Sequence, residues 1–260
     1  MTILDEIAGY TRERVRKNRE TLPEDQLAVR ALALPAGDLP FTRALQKEGL
    51  SFICECKKAS PSKGVIAEEF PYLEIARDYE KAGADAISVL SEPKWFLGSD
   101  AYVEEIARSV SIPVLRKDFT VDPYMIYEAK VLGASAVLLI VAILTEEELR
   151  ADLALCGKLG LSALVECHDE EEIRTALSAG ARIIGVNNRN LRDFSVDTTL
   201  AGRLRSLIPA DVLFVSESGV KTAEDVRRIR ESGADAVLVG ETLMRAADKT
   251  AMMKALKGEI

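Results

Sequence analysis

The chain has 260 residues, 48% of them apolar and 29% charged, with a formal net charge of −8. That length and apolar share suit one α/β barrel with a large core, and the acidic balance excludes nonspecific binding to nucleic acid or to an anionic membrane surface. Four cysteines and a single histidine leave no zinc-type ligand spacing, and the cysteines read as buried free thiols of a reducing cytoplasm.

From the N-terminus, Met1-Thr2-Ile3-Leu4-Asp5-Glu6 lacks a basic region followed by an apolar one, so no secretory signal is expected. The longest apolar run, residues 136–144, is strand-sized and short of the roughly 18–20 residues that span a bilayer. An amphipathic charged helix is expected over residues 4–19 and a second helix near 41–48. Residues 1–50 are therefore read as a helical extension packing on the barrel, within one domain of residues 1–260.

The first strand is expected at Ser51–Cys56. Its Cys54 and Cys56 are two apart and share the outer, helix-facing side, opposite Glu55 and Lys57. Next comes a segment that recurs about every 50 residues. Ala82-Gly83-Ala84-Asp85-Ala86-Ile87-Ser88-Val89 returns as Leu132-Gly133-Ala134-Ser135-Ala136-Val137-Leu138-Leu139, as Ala179-Gly180-Ala181-Arg182-Ile183-Ile184-Gly185-Val186, and as Ser232-Gly233-Ala234-Asp235-Ala236-Val237-Leu238-Val239. In each copy glycine closes a helix and a β-branched run follows at once. Between the copies lie apolar runs at 113–116, 162–166 and 212–216, giving eight nearly continuous apolar strands, as a parallel sheet buried on both faces requires.

Helical patterns separate these strands. Thr145-Glu146-Glu147-Glu148 forms a capping box, Asp169 is a candidate N-cap, and Thr222-Ala223-Glu224-Asp225 opens another helix. Residues 72–81, 122–131 and 242–256 also carry helical patterns. The even repeat favours a (β/α)8 TIM barrel over an open doubly wound sheet, and no Gly-x-Gly-x-x-Gly follows the first strand.

In such barrels the active site forms at the C-terminal ends of the strands. Glu55 and Lys57 end the first strand, Lys117 the third, Glu166 the fifth, Asn187 the sixth and Glu217 the seventh. Acids and bases interleaved strand by strand point to proton-transfer chemistry at one mouth. Ser218-Gly219 after the seventh strand and Gly240-Glu241-Thr242 after the eighth suit a phosphate cradle, and Ser60-Pro61-Ser62-Lys63-Gly64 adds hydroxyls and a lysine. Lys57, Lys58, Lys63, Arg116, Lys117 and Arg189 set a basic mouth in an acidic protein, which suits a small anionic substrate. His168 reads as a capping or surface residue. Trp95-Phe96, after the second strand, either shields the rim or walls a planar ring.

Here the sequence resembles the indole-3-glycerol-phosphate synthase family of tryptophan biosynthesis. Glu55-Cys56-Lys57-Lys58-Ala59-Ser60-Pro61-Ser62-Lys63-Gly64 matches its E-x-K-x-x-S-P-S-K-G signature. Ala86-Ile87-Ser88-Val89-Leu90-Ser91-Glu92-Pro93, Pro113-Val114-Leu115-Arg116-Lys117-Asp118-Phe119 and Leu164-Val165-Glu166-Cys167-His168 extend the match. So do Gly185-Val186-Asn187-Asn188-Arg189-Asn190-Leu191 and Ser216-Glu217-Ser218-Gly219-Val220. Departures are Met125, where the family often has glutamine, Glu68-Glu69-Phe70-Pro71 in place of D-F-D-P, and Cys56 and Cys167 in place of aliphatics.

The resemblance implies decarboxylating and dehydrating closure of an indole ring on an anthranilate-derived ribulose phosphate, in the cytoplasm and without cofactor or metal. It implies Lys117 as general acid and Glu166 as its acid/base partner, with Glu55 and Lys57 assisting. Asn187, Glu217 and Ser218 would orient the substrate; Ser60, Gly219, Gly240 and Glu241 would hold its phosphate; Phe96 and Arg189 would line the anthranilate end. The expected partner is thus a phosphorylated small molecule, and the chain is expected to be a monomer or weak homo-oligomer. Two other readings of the same residues are a Schiff-base aldolase using Lys117 or Lys57, and a non-catalytic phosphate-binding barrel.

Overall fold

A computed structural model describes residues 2–191 and 193–259. Met1, part of the expected N-terminal extension, lies outside the described residues. Eight parallel strands close into a barrel: β1 (Ser51–Cys56), β2 (Ala86–Leu90), β3 (Val114–Lys117), β4 (Ala136–Ile140), β5 (Ser162–Cys167), β6 (Ile183–Asn187), β7 (Leu213–Glu217) and β8 (Ala236–Val239). Each pairs with its sequence neighbours, and β8 returns to β1 with Cys54 opposite Val239. The expected (β/α)8 barrel is the fold observed. Strand ends run one residue later than the apolar runs at β3, β5 and β7, so that the polar residues at their tips belong to the strands and inherit their rigidity.

The alternation of faces sorts the core into two regions. Ile53, Leu115, Leu138, Leu164, Ile183, Val215 and Leu238 point inward and fill the barrel. Phe52, Cys54, Cys56, Ile87, Val165 and Phe214 point outward into the layer beneath the helices. Fully burying one such side chain contributes roughly 1.5–3 kcal/mol. Cys54, Cys56, Cys156 and Cys167 are all buried and free, and burial raises their thiol pKa values.

Helices α4 (Tyr72–Lys81), α5 (Asp100–Ser109), α6 (Pro123–Val131), α7 (Glu146–Leu159), α8 (Glu170–Ala179), α9 (Leu200–Leu204) and α10 (Ala223–Glu231) follow strands one to seven. The expected caps are present: Thr145 and Thr222 each form a capping box, and Asp169 accepts the Glu172 N–H at 2.9 Å. The four repeat glycines, Gly83, Gly133, Gly180 and Gly233, take φ between 79° and 98°, the left-handed conformation that ends a helix at little steric cost for glycine. The single helix expected over 242–256 is two, α11 (Glu241–Arg245) and α12 (Lys249–Lys257). Asp248 caps the second by accepting the Ala251 N–H, so the break has a local cause.

Before the barrel, α1 (Ile3–Thr21) matches the first expected helix and α3 (Pro40–Leu45) the second, while α2 (Glu24–Ala33) was not anticipated. These helices attach to both ends of the barrel. Thr42 of α3 bonds Ser162 at the start of β5, and Phe41 and Leu45 pack with the inward-facing core. At the other end, Arg14 of α1 pairs with Asp118 at 2.7 Å, just past β3, and Arg19 pairs with Asp122 at 2.7 Å. No helix among the described residues is long and apolar enough to cross a membrane.

Candidate active site

The C-terminal mouth of the barrel opens into a cavity of about 740 Å³. All thirteen site residues expected from the sequence line it: Glu55, Lys57, Ser60, Phe96, Lys117, Glu166, Asn187, Arg189, Glu217, Ser218, Gly219, Gly240 and Glu241. Strand register is what gathers them. Leu90 pairs with Lys117, Ile140 with Glu166, and Asn187 with Glu217, so the polar residues stand at one level of neighbouring strands.

At the centre, Lys117 Nζ lies 3.1 Å from Glu166 Oε2 and 3.5 Å from Glu217 Oε2. Burial opposes its charge, but the carboxylates of Glu166, Glu217 and Glu55 outweigh burial and raise its pKa, so the resting group is an ammonium. For Glu166, burial favours the neutral form. Lys117 outweighs it, aided by His168 and the Asn187 amide, and the carboxyl pKa is lowered. Glu217 goes the other way. Burial, together with the charges of Glu166 and Glu55, raises its pKa despite the nearby Lys117. One mouth thus holds a committed anion, a committed cation and a carboxyl poised between its two states, a division suited to acid–base work. Glu217 Oε1 is buried and has no hydrogen-bond partner among the described residues.

Asn187 is fixed on both sides of its amide. Its Nδ2 donates to Glu166 Oε1 at 3.1 Å, and its Oδ1 accepts the Arg189 backbone N–H at 3.0 Å. The Arg189 guanidinium donates to the Phe194 carbonyl at 3.1 Å. Lys57 is ion-paired with Glu55. Gly240 leaves room for this pair: a Cβ there would collide with the Glu55 carboxylate and stand 3.0 Å from Lys57 Nζ.

The loops after β7 and β8 bound one end of the cavity. Ser218 takes φ 67° and Gly219 φ 96°, so a sharp left-handed turn follows Glu217, at a conformational cost for the serine. The side chain of Glu241 is held by Arg245 at 3.0 Å and faces Lys63 at 3.7 Å. Lys63, Lys221 and Arg245 also line this end, and of these only Lys63 was singled out from the sequence. The other end is apolar. Phe96 and Phe119 stand with ring centroids 5.9 Å apart, and Ile3, Leu4 and Ile7 of α1 complete the wall. Their i, i+4 spacing gave only a generic core-packing signal, so the sequence did not mark α1 as part of the cavity.

Three readings need correction. Arg116 is not a mouth residue: it alternates with Lys117 and leaves the opposite face of β3, where it is 2% exposed and pairs with Asp100 at 2.8 Å and Glu128 at 3.2 Å. Lys58 is not among the residues lining the cavity either; its carbonyl accepts Ile66 and Ala67 N–H groups in the hairpin formed by Ala59–Ser60 and Gly64–Val65. His168 is neither a cap nor a surface residue. Its ring is largely buried, 3.3 Å from Glu166 and 3.0 Å from Glu172. The aromatic pair divides: Phe96 faces the cavity, whereas Trp95 packs edge-on against Tyr10 of α1 with Lys94 over its ring.

Comparison with known proteins agrees with this geometry. The family model "Indole-3-glycerol phosphate synthase" matches residues 4–256. Among curated relatives, the indole-3-glycerol phosphate synthase of Ruminiclostridium cellulolyticum is 53% identical over 257 residues, covering 98% of this chain and 99% of that protein. That of Leuconostoc mesenteroides is 50% identical over 261 residues, covering 99% of each. Among solved structures, a 3-hexulose-6-phosphate synthase superposes with a TM-score of 0.64 at 16% identity, covering 81% of this chain and 100% of that one, a likeness of fold alone. With its signature segments converging on this cavity, the chain belongs to the indole-3-glycerol phosphate synthase family, decarboxylating lyases of tryptophan biosynthesis.

Proposed function

We propose that the cavity closes the indole ring of 1-(2-carboxyphenylamino)-1-deoxyribulose 5-phosphate with Lys117 and Glu166 as its acid–base pair. The observation that carries this reading is the Lys117 ammonium held between Glu166 and Glu217 at the centre of the cavity. Lys117 donates to the substrate carbonyl oxygen and makes its carbon electrophilic. The carboxylate-bearing ring carbon attacks that carbon as the Lys117 proton turns the oxygen into a hydroxyl, and CO2 leaves its bonding pair to the benzene ring. Solvent returns a proton to Lys117, which passes it to the hydroxyl as this departs as water. Glu166, an anion at rest, takes the proton released as the ring becomes aromatic. Positioned acids and bases of this kind contribute roughly 10²–10⁴ in rate each.

The two ends of the cavity supply the folding of the flexible substrate. Ser60, Gly219, Gly240 and the backbone of Glu241 hold the phosphate, with Lys57 beside them. The Glu241 carboxylate, engaged by Arg245 and Lys63, is kept from repelling the anion. Phe96 packs on the anthranilate ring and Arg189 faces its carboxylate. Asn187, Glu217 and Ser218 fix the sugar chain between them, and Glu55 with Lys57 assists proton movement. The chain works as one domain of residues 1–260, with residues 1–50 as an extension on the barrel, in the cytoplasm. It acts as a monomer or weak homo-oligomer, with no nucleic-acid or membrane partner.

The test follows indole fluorescence as the ring-open precursor is consumed, with borohydride added in a parallel reaction. Product formation with no covalent adduct supports the reading. An adduct trapped on Lys117 or Lys57 with a phosphorylated ketose favours the Schiff-base aldolase instead, and tight binding without turnover favours a non-catalytic barrel.

A further inference from the structure

Glu166 faces two cationic groups, and only Lys117 was foreseen among them. Its Oε2 meets Lys117, while its Oε1 accepts from Asn187 and lies 3.3 Å from His168 Nε2. The His168 ring is held from behind. Its Nδ1 is 3.0 Å from Glu172 Oε2, and the same oxygen accepts the His168 backbone N–H at 2.8 Å. Each ring nitrogen therefore faces a carboxylate, an environment that only the imidazolium satisfies on both sides. Burial works against that charge, but Glu166 and Glu172 outweigh it and hold the His168 pKa up to about 10. Around the ring stand Glu166 on β5, Glu172 on α8, and Glu217 on β7, with Lys117 on β3 beyond Glu166.

We infer that His168, anchored by Glu172, is a positioning residue that turns the Glu166 carboxylate toward Lys117 and holds it as the anion. The inference rests on the acid–base role proposed for Glu166. The Nε2 contact at 3.3 Å is an ion pair, and its effect on Glu166 requires the charged ring. A neutral side chain of similar reach cannot supply that. Glu172 lies in the first turn of α8, so the chain Glu172–His168–Glu166 ties the reacting carboxylate to the barrel's outer layer.

The experiment compares kcat, KM and the pH profile of kcat for wild type, Glu166→Gln, His168→Gln, Glu172→Gln and the double variant Glu166→Gln/His168→Gln. His168→Gln is expected to lower kcat about 10-fold with KM within about 3-fold of wild type. Without the imidazolium the Glu166 pKa rises, so the acid limb of the profile moves to higher pH. Glu172→Gln shifts both readouts in the same direction by less. In the Glu166→Gln background, His168→Gln adds less than about 2-fold, because its route of action is gone. If His168→Gln fails to fold, Glu172→Gln alone decides by the same two readouts. Wild-type kcat and acid limb in the folded His168 and Glu172 variants, with Glu166→Gln inactive, overturns the inference and leaves the role of Glu166 standing. Wild-type turnover by Glu166→Gln overturns both.

Discussion

The Glu217 carboxylate occupies the space that a side chain at Gly185 would fill. A Cβ built on Gly185 would collide with Glu217 Oε1 and stand 3.1 Å from Leu164 Cδ1. Gly185 lies inside β6, where glycine is normally a liability, and its presence there is explained by the close approach of the Glu217 carboxylate. Gly185→Ala displaces the mobile end of a side chain rather than backbone, so unfolding free energy changes by less than about 1.5 kcal/mol. Turnover falls by about 10-fold or more because Glu217 leaves its place beside Lys117. Urea unfolding and steady-state kinetics on one preparation check both halves.

Glu92 organises the loop that carries Phe96. Its fully buried carboxylate accepts the backbone N–H groups of Lys94 at 2.8 Å, Trp95 at 2.7 Å and Phe96 at 3.0 Å. Glu92→Gln leaves one oxygen to serve these donors and weakens charge-assisted bonds, costing roughly 1–3 kcal/mol of stability. Phe96 loses its fixed position, so KM rises about 3- to 10-fold, with a smaller change in kcat. An unchanged KM with lowered stability would confine Glu92 to a folding role.

Asp152 gives a pH signature away from the cavity. It sits buried on α7, and burial, with Asp122 and Glu148 nearby, raises its pKa from 3.8 to about 7. A raised carboxyl pKa favours the folded state only while the group is protonated. That contribution is complete below 3.8 and is lost as the pH climbs through about 7. Asp152→Asn therefore stabilises the protein by about 1–2 kcal/mol at pH 8 and by progressively less toward pH 4, after allowing for partial solvent screening. Denaturant titrations at the two pH values measure the difference.

Much of this architecture was legible in the sequence, and the part that was not has definite causes. The repeat around Gly83, Gly133, Gly180 and Gly233 carried helix ends and strand starts together, because a left-handed terminus and a β-branched run are both local signals. Glu55, Lys117, Glu166 and Glu217 stood out because charge at the tip of a buried strand demands a reason. Arg116 adjoins Lys117 in the sequence, and only the alternation of side chains along β3 separates the residue that enters the mouth from the one that leaves it. His168 was missed because its meaning depends on Glu166 and Glu172 flanking it in space, while beside a helix start it looks like capping. The cavity-lining residues Ile3, Leu4 and Ile7 were invisible for a related reason: an apolar helix face does not announce which end of the barrel it covers.

The central claim is that the Lys117 ammonium is the acid of the ring closure. Removing it leaves Glu166 and Glu217 facing each other, and one of them takes up a proton instead of forcing the fold open. The most direct measurement is kcat for Lys117→Ala from the fluorescence of the indole product, with circular dichroism and the unfolding midpoint taken on the same sample. The expected result is a loss of at least about 10² in kcat with the folded structure retained; turnover near that of wild type by a folded Lys117→Ala protein would contradict it.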